Sequence, residues 1–265
     1  MENNYVFFDL ETNGLDYYKT SILQITIINY QGKILLNQYA FPFDNRIECS
    51  EIHGIDENKL NNEHALNHID LCVLIKNVIR NNFDRNNVYF IAYNNFGFDQ
   101  IILENYFRVS NIKIPINWYF IDLYPIIKEL YPEMKPNYKL STVYKNICNS
   151  KNVNFHCALE DTLCLYEIFS SINISNELLK KYTRSLITSY EILSSPISSL
   201  NGYNKYINFQ NKNIKTIGDL YNIFKNKDYN NEEFEIYLKD KLNIYSNYYL
   251  KNIMKQINTI YNLNS

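Results

Sequence analysis

A chain of 265 residues, 46% hydrophobic and 20% charged with a net charge of −2, has a globular balance and room for one ordinary domain plus an appendage. No stretch approaches the uninterrupted apolar length that crosses a bilayer, so no membrane partner is expected. Five cysteines (Cys49, Cys72, Cys148, Cys157, Cys164) form an odd set without C-x-x-C spacing, which speaks for reduced core thiols over a zinc site or a disulfide scaffold.

The opening Met-Glu-Asn-Asn lacks the basic segment and cleavage site of a secretion signal, which predicts an intracellular protein, cytoplasmic or nuclear. Residues 5–10, 22–30 and 33–41 read as three strands, separated by turn signals at Asn13-Gly14 and Gln31-Gly32. On the first strand Asp9 and Glu11 stand two apart, so they share a face of an otherwise apolar run of Val6, Phe7, Phe8 and Leu10. Two like charges on one face repel and cost desolvation unless a cation or a proton lies between them. Solvated acids on an exposed strand would be the ordinary reading of such a pair; the apolar flanks argue for a core strand instead.

Helical spacing of Leu66, Ile69, Val73, Val78 and Ile79 predicts a helix within 65–83. Val88 to Tyr93 reads as a fourth strand, Phe98 to Phe107 as a helix beginning at Asp99, and Ile121 lies in a short fifth strand followed by a helix toward Tyr131-Pro132. Ser141 is expected to cap a helix carrying Val143, Tyr144 and Ile147. Periodicity through Leu159, Thr162, Leu163, Tyr166 and Phe169 puts Asp161 on a helix, with His156 in the loop or first turn leading into it. Beyond residue 173 the pattern changes: Ser194 to Ser199 reads as a connector, and Lys215-Thr216-Ile217-Gly218 leads into helical stretches near 219–226, 231–242 and 247–261. Three strands and then alternating helices and strands imply an α/β fold on a mixed five-stranded sheet.

Three short motifs carry the chemistry. Phe8-Asp9-Leu10-Glu11-Thr12-Asn13-Gly14-Leu15, Asn95-x-x-Phe98-Asp99 and His156-x-Ala158-Leu159-x-Asp161, in that order, resemble the three motifs of the DEDD-type 3′→5′ exonucleases, in the variant whose last motif is H-x4-D. That family includes the proofreading subunit of bacterial replicative DNA polymerase. Softer matches are Ile52-His53-Gly54-Ile55 and Lys139-Leu140-Ser141. The resemblance covers about residues 1–172 as an exonuclease domain and leaves 173–265 as a helical region of unknown role.

The resemblance implies a ribonuclease-H-like fold flanked by helices and a phosphodiester hydrolase using two Mg²⁺ (or Mn²⁺), which two-metal sites hold about 3.5–4 Å apart. Asp9, Glu11 and Asp161 would hold one cation, Asp9 and Asp99 the second, and His156 would be the general base. Thr12, Asn13, Gly14, Leu15, His53, Asn95 and Phe98 would approach the 3′-terminal nucleotide, with Asn13 in place of the commoner Thr and Asn94 where many relatives have His. Asp122 and Glu160 do not fit the ligand pattern and read as structural or solvated acids. DNA is the favoured polymer, giving nucleoside 5′-monophosphates in proofreading, repair or replication. RNA trimming, or an oligoribonuclease, is the alternative. A non-catalytic accessory subunit that binds nucleic acid or a polymerase is the competing class, against which the complete set of four acids and a histidine argues. Net charge is −6 over residues 1–172 and +4 over 173–265, so the basic C-terminal region is expected to steer nucleic acid or to dock a polymerase.

Overall fold

The computed structural model describes residues 4–14, 20–44, 46–84, 86–149 and 155–186, together with Ile214 and most of 217–258. Leu15, the connector at 194–199 and the lead-in at 215–216 lie outside the described residues, as does part of the stretch 247–261.

Strand β1 (Tyr5–Thr12) pairs antiparallel with β2 (Ile22–Asn29), which pairs antiparallel with β3 (Ile34–Tyr39). Two short helices, α1 (Ser50–His53) and α2 (Glu57–Asn62), precede α3 (His68–Phe83). Then β4 (Val88–Ala92), α4 (Asp99–Val109), β5 (Trp118–Asp122) and α5 (Leu123–Leu130) alternate, with β4 parallel to both β1 and β5. Helices α6 (Leu140–Cys148), α7 (Ala158–Ser171) and α8 (Asn176–Lys181) follow, and β6 (Thr183–Arg184) returns antiparallel to β5. The sheet order is β3-β2-β1-β4-β5-β6. The mixed α/β architecture is as expected, with a sixth strand that sequence pattern cannot reveal: two residues are too few to show alternation.

Period-two alternation in β1 decides what lies on each face. Val6, Phe8 and Leu10 enter an apolar cluster with side chains of α3 and α4, whereas Tyr5 and Phe7 enter another with α5, α6 and α7. Asp9 and Glu11 continue the second face. Helix α7 lies against it through a buried stripe of Asp161, Leu165 and Ile168, spaced i, i+4 and i+7. Phe7 fixes that docking by edge contacts with Tyr166 at 5.4 Å and Phe169 at 5.1 Å. Each such ring pair adds about 0.5–1.5 kcal/mol beyond area burial. The packing of α7 on β1 thereby sets where Asp161 stands relative to Asp9 and Glu11.

Helix α6 begins two residues earlier than a Ser141 cap would have it: its N-cap is Lys139, without a side-chain cap bond. Asn137 Oδ1 instead accepts from the Lys139 N–H at 3.2 Å, so an Asx turn leads the chain into the helix. Among the described residues no helix is long and apolar enough to cross a membrane.

Chain contacts divide the protein into Met1–Leu186 and Ile187–Ser265, so the division falls beyond residue 172, with α8 and β6 inside the first unit. Charge divides with it. Residues 173–186 carry Lys180, Lys181 and Arg184 against Glu177, which leaves residues 187–265 a net charge of only +2. The second unit has its own apolar cluster, built by α9 (Ile217–Asn226), α10 (Asn231–Leu242) and residues Ile244, Leu250, Ile253 and Ile257. Helix α10 starts on a reciprocal cap, Glu233 N–H to Asn230 Oδ1 and Asn230 N–H to Glu233 Oε2, both 3.0 Å.

Candidate active site

Strand β1 pairs with β4 only over Tyr5, Val6 and Phe7, so its C-terminal half overhangs the parallel part of the sheet. The two acids lie on that overhang, opposite Thr26 and Gln24 of β2. The register shifts immediately after Glu11, a bulge that ends regular pairing beside the acids. Thr26 Oγ1 and Gln24 Nε2 both donate to Asn37 Oδ1, at 3.1 and 2.9 Å, which commits these polar neighbours to each other.

Asp9, Glu11 and Asp161 each offer a carboxylate oxygen, and these atoms lie within 4.8 Å of one another. Asp161 Oδ2 accepts from the His156 N–H at 3.2 Å, while its Oδ1 is buried without a hydrogen-bond partner. His156 itself is exposed, outside α7, in the left-handed region at φ 71°. Asp99, at the first position of α4, is 3% exposed and stands outside the group of three. Its carboxylate nevertheless acts on Asp9 and Glu11 through charge and accepts a hydrogen bond from the Leu10 N–H.

Crowding of four acids is costly, and their proton affinities record it. Burial first, then Asp99, Asp161 and Glu11, hold the Asp9 carboxyl well above the usual range. Burial and then Asp161 push Glu11 up to about 8. Burial lifts Asp161 to about 6 against the opposing pull of the His156 N–H and ring. Burial also raises Asp99 well above normal, with Asp122 and Glu11 adding to it and backbone N–H groups opposing. A donor set of hard carboxylate oxygens, one of them orphaned and all of them short of positive charge, fits a divalent cation.

The remaining expected residues divide by placement. Thr12 Oγ1 donates to Gly14 O at 2.9 Å, closing the turn that leaves β1. Asn13 holds the loop after β3 from both ends of its amide: Nδ2 donates to Arg46 O and Oδ1 accepts from Glu48 N–H, each at 2.6 Å. His53 acts on the same loop. Its Nδ1 accepts from Ile55 N–H at 3.1 Å, which makes Nε2 the protonated nitrogen donating to Glu48 O at 2.9 Å. Both polar groups of the Glu48 backbone are therefore held by side chains expected to meet substrate. Asn95 is fully buried and donates to Phe90 O and Ile121 O at 3.1 and 2.9 Å, bracing β4 against β5. Phe98 is partly buried against the α3–α4 cluster. Asp122 is structural: its Oδ1 caps α5 through Tyr124 N–H at 3.0 Å and its Oδ2 accepts from Phe96 N–H at 3.1 Å. The role of Glu48 had no signal in the sequence, since its partner Asn13 is 35 residues away and neither residue belongs to a periodic pattern.

Residues 6–169 match the RNase T-type family model, described as "Exonuclease". A curated relative, the chloroplastic/mitochondrial exonuclease DPD1 of Arabidopsis thaliana, is 26% identical over 181 residues, covering 64% of this chain and 56% of the relative. Among solved structures, exonuclease I superposes with a TM-score of 0.54 at 17% identity over 67% of this chain and 42% of that one. Escherichia coli exonuclease I in complex with a dA16 oligonucleotide gives 0.56 at 16% identity over 72% and 43%. The chain thus spans little more than half the length of the curated relative and less than half of these solved chains. The structural likeness shows the fold, an exonuclease or ribonuclease-H-like mixed sheet flanked by helices.

Proposed function

The chain belongs to the exonuclease family, and from that membership we propose that it is a divalent-cation-dependent 3′→5′ exonuclease acting on single-stranded or frayed nucleic-acid ends, with DNA as the favoured polymer. One observation carries the reading: three carboxylates within 4.8 Å, one of which keeps a buried oxygen without a partner. The solved neighbour's complex with dA16 supports DNA over RNA.

Asp9, Glu11 and Asp161 are the residues that would hold one Mg²⁺ or Mn²⁺, and Asp9 with Asp99, which act on each other through charge, would hold a second. Bound there, such cations neutralise charge building on the phosphate and activate water for attack. His156, exposed beside Asp161, takes the proton of the attacking water. The water oxygen bonds phosphorus as the P–O3′ bond breaks, so O3′ stays on the shortened strand and the phosphate leaves on the terminal nucleoside. The turn Thr12–Gly14, stiffened by the Asn13 and Thr12 bonds, meets that nucleotide through its backbone. Removal of mismatched or unwanted 3′ ends in repair or replication, inside the cell, is the setting this chemistry suits.

The test uses 5′-labelled single-stranded DNA and RNA, with Mg²⁺ or EDTA, and the wild type beside Asp9→Ala. A Mg²⁺-dependent ladder shortening from the 3′ end, absent in the variant, is expected, faster on DNA. Failure of the wild type to cut either polymer would overturn the proposal, and faster cutting of RNA would reassign it to RNA trimming.

A further inference from the structure

Asp99 sits between two residues that the strand β6 segment holds from outside the family match, which ends at 169. On its N-terminal side, Phe96 occupies the turn joining β4 to α4, and the guanidinium of Arg184 lies 4.0 Å from the centre of its ring. On its C-terminal side, Gln100, fully buried, donates from Nε2 to the Ser185 carbonyl at 3.0 Å. The segment is itself tied down, since Arg184 pairs with Phe120, Thr183 pairs with Ile121, and Asp122 N–H donates to Tyr182 O at 3.3 Å. Asp122 in turn accepts from the Phe96 N–H, so the turn is held on two sides.

We propose that Arg184 is a positioning residue for Asp99: through its stack on Phe96, with Ser185 holding Gln100, it fixes where the Asp99 carboxylate meets the site. This rests on the exonuclease reading above and deepens it. The warrant is geometric. A ligand carboxylate must be kept within a fraction of an ångström of its productive place, and that precision comes from the residues supporting it. Planarity matters here, because a guanidinium lies flat on a ring where an ammonium does not. Arg184 is exposed, so its removal need not unfold the chain.

The experiment compares the full-length wild type with Arg184→Ala, Arg184→Lys and Asp99→Asn. Mn²⁺ titration without nucleic acid is expected to show that Arg184→Ala weakens, by about tenfold, the binding step that Asp99→Asn abolishes, with Arg184→Lys between. In the cleavage assay kcat is expected to fall by about tenfold while KM for the oligonucleotide stays within about twofold. An unchanged Mn²⁺ titration would overturn the proposal. A rise in KM alone would overturn it too, because Arg184 would then be contacting the strand. Should the wild type cut neither polymer while Arg184→Ala still weakens the Asp99 step, the exonuclease reading falls and the positioning role stands.

Discussion

The His156 N–H donates to Asp161 Oδ2, 3.2 Å away, from a residue in a left-handed backbone conformation at φ 71°. One residue thus orients a site carboxylate with its backbone and offers an exposed ring with its side chain.

These two roles separate by substitution. His156→Gly keeps the N–H and relieves the left-handed conformation, which costs an ordinary L residue about 1–2 kcal/mol. Thermal denaturation should show an unchanged or slightly raised Tm, by about 2–4 °C per kcal/mol gained. Loss of the base should still lower kcat by about 10²–10⁴-fold. A variant with full activity would remove His156 from the reaction.

A second expectation concerns pH in the metal-free protein. Glu11 and Asp161 hold their protons up to about 8 and about 6, whereas the unfolded chain releases them at ordinary carboxylate values. Above those ordinary values the native state binds more protons than the unfolded state, so stability falls as pH rises. The part of the loss that comes from Asp161 and Glu11 should run from about pH 4 to about pH 8, and the raised Asp9 and Asp99 add to it in the same direction. In EDTA, Tm should decline over this window, and Glu11→Gln should make the decline above pH 6 shallower. Saturating Mg²⁺ should raise Tm more at pH 8 than at pH 6, because cation and protons compete for the same oxygens. A metal-free Tm that rose over this window would contradict the crowding described for the four acids.

Asn13 and His53 give a third test, because both hold the backbone of Glu48. The Asn13 bonds are exposed, so Asn13→Thr should cost little stability, about 1 kcal/mol or less. It frees the loop beside the terminal-nucleotide turn, and KM should rise severalfold while kcat changes little. His53→Ala strands the buried Ile55 N–H and should cost about 1–3 kcal/mol. Equal Tm losses in the two variants would show that exposure does not divide their roles.

How far these features were legible in the sequence follows from the range of each interaction. Asp9 and Glu11 stood out because a strand repeats every two residues, and Asp161 because of its H-x4-D spacing from His156; the stripe that α7 buries, Asp161, Leu165 and Ile168, is not the one read from Leu159, Leu163 and Tyr166. Strand β6 is too short to repeat at all. The bonds that hold Asn13 and Asn95 had no signal in the sequence, because their partners, Arg46 and Glu48 for the first and Ile121 for the second, are distant in the chain or belong to another strand. Motif spacing marks where a residue is and says nothing of whether its donors are already engaged.

Truncation brings the domain division and the charge argument to one measurement. A chain ending at Leu186 retains β6, the Arg184 stack and the Ser185 bond, and loses a unit whose apolar cluster is its own. It should fold and keep kcat within about twofold, as a unit with its own core allows. Only +2 of net charge leaves with residues 187–265, so long-range attraction of single-stranded DNA, and with it the association rate at low salt, should change little. A chain ending at residue 172 instead opens the β5 edge and strips Gln100 of its Ser185 partner. Gln100 Nε2 keeps its bond to Glu104 Oε1 at 2.7 Å, so losing the Ser185 bond and uncovering the strand edge should lower Tm by a few degrees, at about 0.5–1.5 kcal/mol per hydrogen bond lost. If both truncations behaved alike, residues 173–186 would belong with the C-terminal region after all. A collapse of DNA affinity on cutting at 186 would instead assign the capture of nucleic acid to that region.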